Sequence, residues 1–115
     1  MNGKLKFNPN KKQILFIGPN LIDDERKGWD LLKDVLSIFY QNSKIEFELV
    51  VVGHTGELLY DCPYTIYSLG EIADDDILVN LFSSVDLLVV PSKSEAFSQV
   101  TLEAQSCGLP VVGFN

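Results

Sequence analysis

The chain has 115 residues, 46% of them apolar and 22% charged, which is enough for one globular domain and too little for two. That apolar share excludes intrinsic disorder, and runs such as Leu49–Val52 are too short to span a bilayer. Sixteen acidic residues against nine basic ones leave a net charge of −7 with no run of Lys or Arg, a poor match to a nucleic-acid backbone.

Residues 1–12 (MNGKLKFNPNKK) are polar and turn-rich and read as a lead-in or linker. They carry basic residues with no apolar core behind them, so they form no secretory signal. The run QILFIG, ending at Gly18, reads as a strand buried on both faces. After a polar loop from Pro19 to Lys27, the apolar residues Trp29, Leu32, Val35, Leu36 and Phe39 recur at helical spacing. This predicts an amphipathic helix over 28–41 with Trp29 and Phe39 on its packing face.

Phe47 to Val52 is a second buried strand, closed by Gly53. A loop through His54, Gly56, Cys62 and Pro63 leads to a third, about Thr65 to Leu69, closed by Gly70. Asp74 to Ser84 is a short helix with Ile77, Leu78, Leu81 and Phe82 as its apolar stripe. From Asp86 the run LLVV forms a fourth strand, stopped by Pro91. Ser98 to Cys107 is helical, Gly108 ends it, and Pro110 opens a fifth strand.

Strands alternating with helices in this way predict an α/β fold, a Rossmann-like parallel sheet of about five strands with flanking helices and right-handed crossovers. In such a sheet ligands bind beyond the carboxyl ends of the strands, which Gly18, Gly53, Gly70 and Pro91 mark. Cys62 and Cys107 lie far apart, with no CxxC or Cys/His spacing, so neither a zinc site nor a disulfide framework is expected. The chain reads as a soluble protein of a reducing, cytoplasmic compartment.

Chemistry concentrates between Pro91 and Asn115, PSKSEAFSQVTLEAQSCGLPVVGFN. Glu95 stands in the loop after the fourth strand and Glu103 within the following helix. That helix aims its amino terminus at the crevice, where unpaired N–H groups and the dipole favour an anion such as a phosphate. Glu103 lies one to two turns in, within reach of hydroxyls beside that anion. Amides for a diphosphate and carboxylates for sugar hydroxyls are what a nucleotide sugar requires.

The arrangement P-S-x-x-E-x-F followed by E-A-x-x-C-G-x-P-V-V resembles the E-x7-E signature of retaining glycosyltransferases of the GT-B fold, family four. Residues 13–115 are similar to the carboxy-terminal, donor-binding domain of that family, and 14–32 to its first strand and phosphate loop. The LGEI turn at 69–72 and VDLLVVPS follow in the same order.

The resemblance implies a nucleotide-sugar-binding domain over 13–115, cut short at its carboxyl end, that contributes to transfer of a hexose-type sugar with retained configuration. It implies that Lys27, with Arg26 beside it, neutralises the donor diphosphate and supports its departure, and that Glu95 contacts the donor sugar near the reacting carbon. Glu103 then holds the ribose hydroxyls, and backbone amides of Phe97, Ser98, Gln99, Val100 and Thr101 receive sugar and phosphate oxygens. Gly70, Glu71 and Ile72 border the base.

No metal and no cofactor are implied beyond the donor itself. The acceptor, a glycan or lipid-linked molecule, binds an amino-terminal domain in the family, so the isolated chain is expected to be inactive. No nucleic-acid partner is implied. The expected location is cytoplasmic, or peripheral at the inner membrane face in the full-length protein.

Departures from the family pattern are Pro19 and Asn20, where an arginine usually follows the first strand's glycine, and Ala96 and Ser98, where glycines flank the phenylalanine. They favour an alternative, a non-catalytic nucleotide or interaction module of the same fold. A receiver-type signalling domain is a further alternative. It requires an acidic pair after the first strand, where Pro19 and Asn20 stand, and an aspartate at a strand's end, whereas Asp86 begins its strand.

Structural roles compete for several of these residues. Ser92-Lys-Ser-Glu95 fits a capping box. Asp74-Asp75-Asp76 resembles a DxD metal motif but sits where a helix start stabilises acids. Lys27 and Arg26 also fit solvated loop charges, and Glu103 an exposed helix position.

Overall fold

In a computed structural model the described residues are 7–17, 29–53, 62–72, 74–90 and 98–113, with only the backbone described at 29 and 98–100. The elements are β1 (Lys12–Ile17), α1 (Trp29–Asn42), β2 (Phe47–Val52), β3 (Ile66–Ser68), α2 (Asp75–Ser84), β4 (Leu87–Val90), α3 (Ser98–Ser106) and β5 (Val111–Gly113). Each expected strand and helix is present, within a residue or two of its expected bounds.

All five strands are parallel in the order β3-β2-β1-β4-β5. The chain therefore winds outward from β1 to β3, crosses back, and continues from β4 to β5. This reversal places a switch point between β1 and β4, and a crevice beyond their carboxyl ends.

The six residues of β2 are all buried, as a central parallel strand covered on both faces requires. On one face Leu32 and Leu36 of α1 pack with Ile14, Phe16, Leu49, Val51 and Val89. On the other, Leu81 and Phe82 of α2 and Ala104 of α3 pack with Leu15, Val50, Leu88 and Val90. Right-handed crossovers produce this division, because β1-to-β2 and β4-to-β5 run in opposite directions across the sheet.

One helix face departs from expectation. Phe39 and Val35 are each 37% exposed, so the buried stripe of α1 is narrower than its apolar pattern. Phe39 still reaches Phe47 at the start of β2, with ring centroids 5.5 Å apart. Phe82, by contrast, is fully enclosed as expected, while the Trp29 side chain lies outside the described residues.

The boundary at Lys12 also moves. Lys12 opens β1, and Phe7 packs against the second apolar cluster, so the last part of the expected lead-in is built onto the sheet. Cys62 and Cys107 are both half-buried, and the Cys62 thiol donates to the Tyr64 carbonyl at 3.1 Å. Among the described residues no helix is long and apolar enough to cross a membrane.

Candidate functional site

Two glycines shape the carboxyl rim of the sheet. Gly53, immediately after β2, has φ +106°, and Gly70, two residues after β3, has φ +72°, a region that L side chains enter at a cost. The Gly53 N–H donates to the Gly70 carbonyl at 2.7 Å, and Leu69 N–H donates to the Val51 carbonyl at 2.9 Å. The β2–β3 pairing is thereby carried past the last strand residues to the rim.

Of the expected base-bordering residues, Gly70 therefore has its carbonyl engaged within the sheet. Glu71 is exposed, and Ile72 is half-buried against the second apolar cluster. This is a fixed main-chain corner with one carboxylate at its surface.

Across the switch point stands α3, whose amino end follows β4 and so lies at the same carboxyl edge. Ser98, Gln99, Val100 and Thr101 make its first turn. The Thr101 Oγ1 is enclosed and has no hydrogen-bond partner among the described residues. Ala104, fully buried, anchors the helix to the sheet, and 100° per residue then sets Thr101 and Glu103 on opposite flanks of that buried line. Glu103 is half-buried.

The far end of α3 explains much of the CGLP sequence. Gly108 has φ +81°. Its N–H donates to Gln105 O at 3.0 Å, and Leu109 N–H donates to Ala104 O at 3.0 Å. This is the bonding pattern of a Schellman motif, with the usual apolar contact supplied by buried Leu109 and Ala104. Cys107, Gly108 and Leu109 thus serve to stop the helix and turn the chain into β5.

The acidic run at α2 is likewise structural at its first member. The Asp74 carboxylate accepts from Asp76 N–H at 2.8 Å and from Ile77 N–H at 3.2 Å, which makes it the helix cap. Asp86 closes the amino edge instead of the crevice. Its Oδ2 accepts from Gln13 N–H at 2.8 Å and its own N–H donates to Gln13 O at 2.9 Å, joining β4 to β1 where their pairing begins.

Arg26, Lys27, His54, Glu95 and Phe97 lie outside the described residues. A group that sequence reading did not single out is Glu48, 3% exposed in the middle of an apolar strand. The signal was present as the one charged residue in FELVVV.

Residues 11–115 match the family described as glycosyl transferases group 1. The chain belongs to this family. It is 57% identical over 35 residues to the D-inositol 3-phosphate glycosyltransferase of Mycolicibacterium smegmatis, a stretch covering 30% of this chain and 8% of that protein. It is 50% identical over 40 residues to the protein of the same name from Rhodococcus jostii, covering 35% of this chain and 9% of that one.

The fold is similar to that of WaaG, a glycosyltransferase involved in lipopolysaccharide biosynthesis, with a TM-score of 0.68 and 24% identity. That likeness covers 92% of this group 1 chain and 29% of WaaG. The chain thus spans under a third of the solved structure it resembles, and its matched stretches under a tenth of these curated relatives.

Proposed function

We propose that this chain is the donor-binding part of a retaining glycosyltransferase that moves a hexose-type sugar from a nucleoside diphosphate to a glycan or lipid-linked acceptor. The observation that carries the reading is the first turn of α3. It opens at the carboxyl edge of β4, beside the switch point, and holds an enclosed Thr101 hydroxyl with no partner among the described residues. A helix amino terminus stabilises a phosphate there.

Glu103 on the next turn holds the ribose hydroxyls, and the Gly70–Ile72 corner borders the base. Arg26 and Lys27 supply the cationic charge for the departing diphosphate, and Glu95 approaches the reacting carbon. Catalysis then rests on electrostatic support of an oxocarbenium-like transition state and of the leaving group, with no metal required. The inositol phosphate acceptor named for the curated relatives is compatible with this donor side, because acceptor contacts belong to a domain other than this one. The isolated chain accordingly binds donor without transferring sugar.

The test is calorimetric titration of the chain with UDP, GDP, ADP and their sugar conjugates. One nucleotide is expected to bind saturably, and Glu103→Ala and Lys27→Ala are each expected to weaken it roughly tenfold. Absence of binding at millimolar ligand, or equal affinity in both variants, counts against the reading.

A further inference from the structure

The amino edge of the sheet carries a polar cluster on the α2/α3 side that glycosyl transfer does not use. Gln13 and Glu48 face each other across β1 and β2 and are 5% and 3% exposed. The Glu48 carboxylate accepts from Gln13 Nε2 at 2.9 Å, from Asn8 N–H at 3.3 Å and, through its other oxygen, from the Tyr67 hydroxyl at 3.0 Å. Gln13 Nε2 also donates to the Asn8 carbonyl at 2.9 Å.

Asn8 is therefore held at both its N–H and its C=O by side chains of two different strands. Its carbonyl takes Lys11 N–H as well, at 3.1 Å, and its own Oδ1 takes Asn10 N–H at 2.9 Å, which folds 8–11 into a turn. Phe7 adds an edge-on ring contact with Tyr67, centroids 5.1 Å apart. A plain connecting segment has no need of a buried carboxylate, and burying one is costly unless its oxygens are satisfied.

We propose that Phe7–Lys11 is a releasable strap, with Glu48 as its anchor. The strap fixes the direction in which the preceding polypeptide leaves the sheet, and it does so through β2 and β3 as well as through β1. It closes over the amino edge, opposite the edge where α3 opens. It opens as a local unit, because among the described residues its attachments are side-chain bonds and the packing of Phe7 on Tyr67 and the second apolar cluster, whereas β1 is held by backbone ladders on both sides. The inference is independent of the donor-binding reading.

Trypsin cleavage after Lys11 in the whole chain reads the strap directly, followed across urea concentrations below the unfolding transition. In the unaltered chain cleavage is expected to be slow and only weakly dependent on urea, the mark of a local opening. Gln13→Met, which at similar bulk removes the Gln13 bonds to the Asn8 carbonyl and to Glu48, is expected to speed it roughly tenfold, more than its lowered urea midpoint alone accounts for. Phe7→Ala, on the strap itself, is expected to speed it several-fold and serves if Gln13→Met fails to fold. Cleavage of the unaltered chain at the rate of an unfolded peptide overturns the proposal. So does cleavage that tracks global unfolding equally in the unaltered chain and the variants.

Discussion

Tyr67 illustrates how a single contact ties stability to pH. Its hydroxyl donates to the Glu48 carboxylate, and this bond, then burial, then the carboxylate's charge raise the phenol above its ordinary value of 10.0. A folded-state value above the unfolded one stabilises the fold below the unfolded value, and that contribution is lost as pH climbs through the raised one. Tyr67→Phe is expected to cost about 1 kcal/mol at neutral pH and to flatten the alkaline decline above pH ~10. Urea unfolding of both proteins between neutral pH and pH ~11 checks this; parallel declines contradict it. At this scale the sequence was only partly legible. Gly70 and Glu103 became candidates because local spacing places one at a strand end and the other in the helix after β4, whereas Thr101 became one only through the family resemblance. Glu48 could be seen as an acid within an apolar run, but its partners come from three separate segments, and no local pattern joins Asn8, Gln13 and Tyr67. The enclosure of Thr101 likewise depends on what packs around it.

Helices and strands were easier to read, since their signals lie in adjacent residues. Glycine and proline punctuation after apolar runs located the strands, and Asp74 announced α2 through the capping chemistry it performs. The exposed apolar side of α1 was misjudged for a physical reason. Periodicity reports which residues share an arc, whereas the width of the buried arc depends on what lies opposite. Leu32 and Leu36 meet the sheet, while Val35 and Phe39, expected on the same face, are each 37% exposed. The end of α3 offers a clean test of element-level reasoning. An added Cβ at Gly108 meets no atom within 4 Å, and φ there is +81°, so only backbone conformation opposes a side chain. Gly108→Ala is expected to cost about 1 kcal/mol, seen as a lower urea midpoint with unchanged slope. A neutral substitution contradicts the assigned Schellman ending.

The whole molecule hangs on strands that are adjacent in space and distant in sequence. β1 sits between β2 and β4, and Leu88 of β4 is wholly buried beneath α2 and α3. Leu88→Ala is expected to cost roughly 2–5 kcal/mol, a large part of the ~5–15 kcal/mol that holds such a domain together. Denaturation in urea measures it, and a loss well under 1 kcal/mol contradicts a core that is closed only when both halves of the sheet meet. The same order has a consequence for the growing polypeptide. The clasp between Gln13 and Asp86 joins residues 73 positions apart, so during synthesis β1 waits for its second neighbour while the whole segment between them is made. Until β4 is made, the strand that becomes the centre of the sheet is an edge, with bare ladder groups on one side. Such a nascent chain depends on prompt elongation, or on a chaperone, to keep that exposed strand from pairing with a stranger.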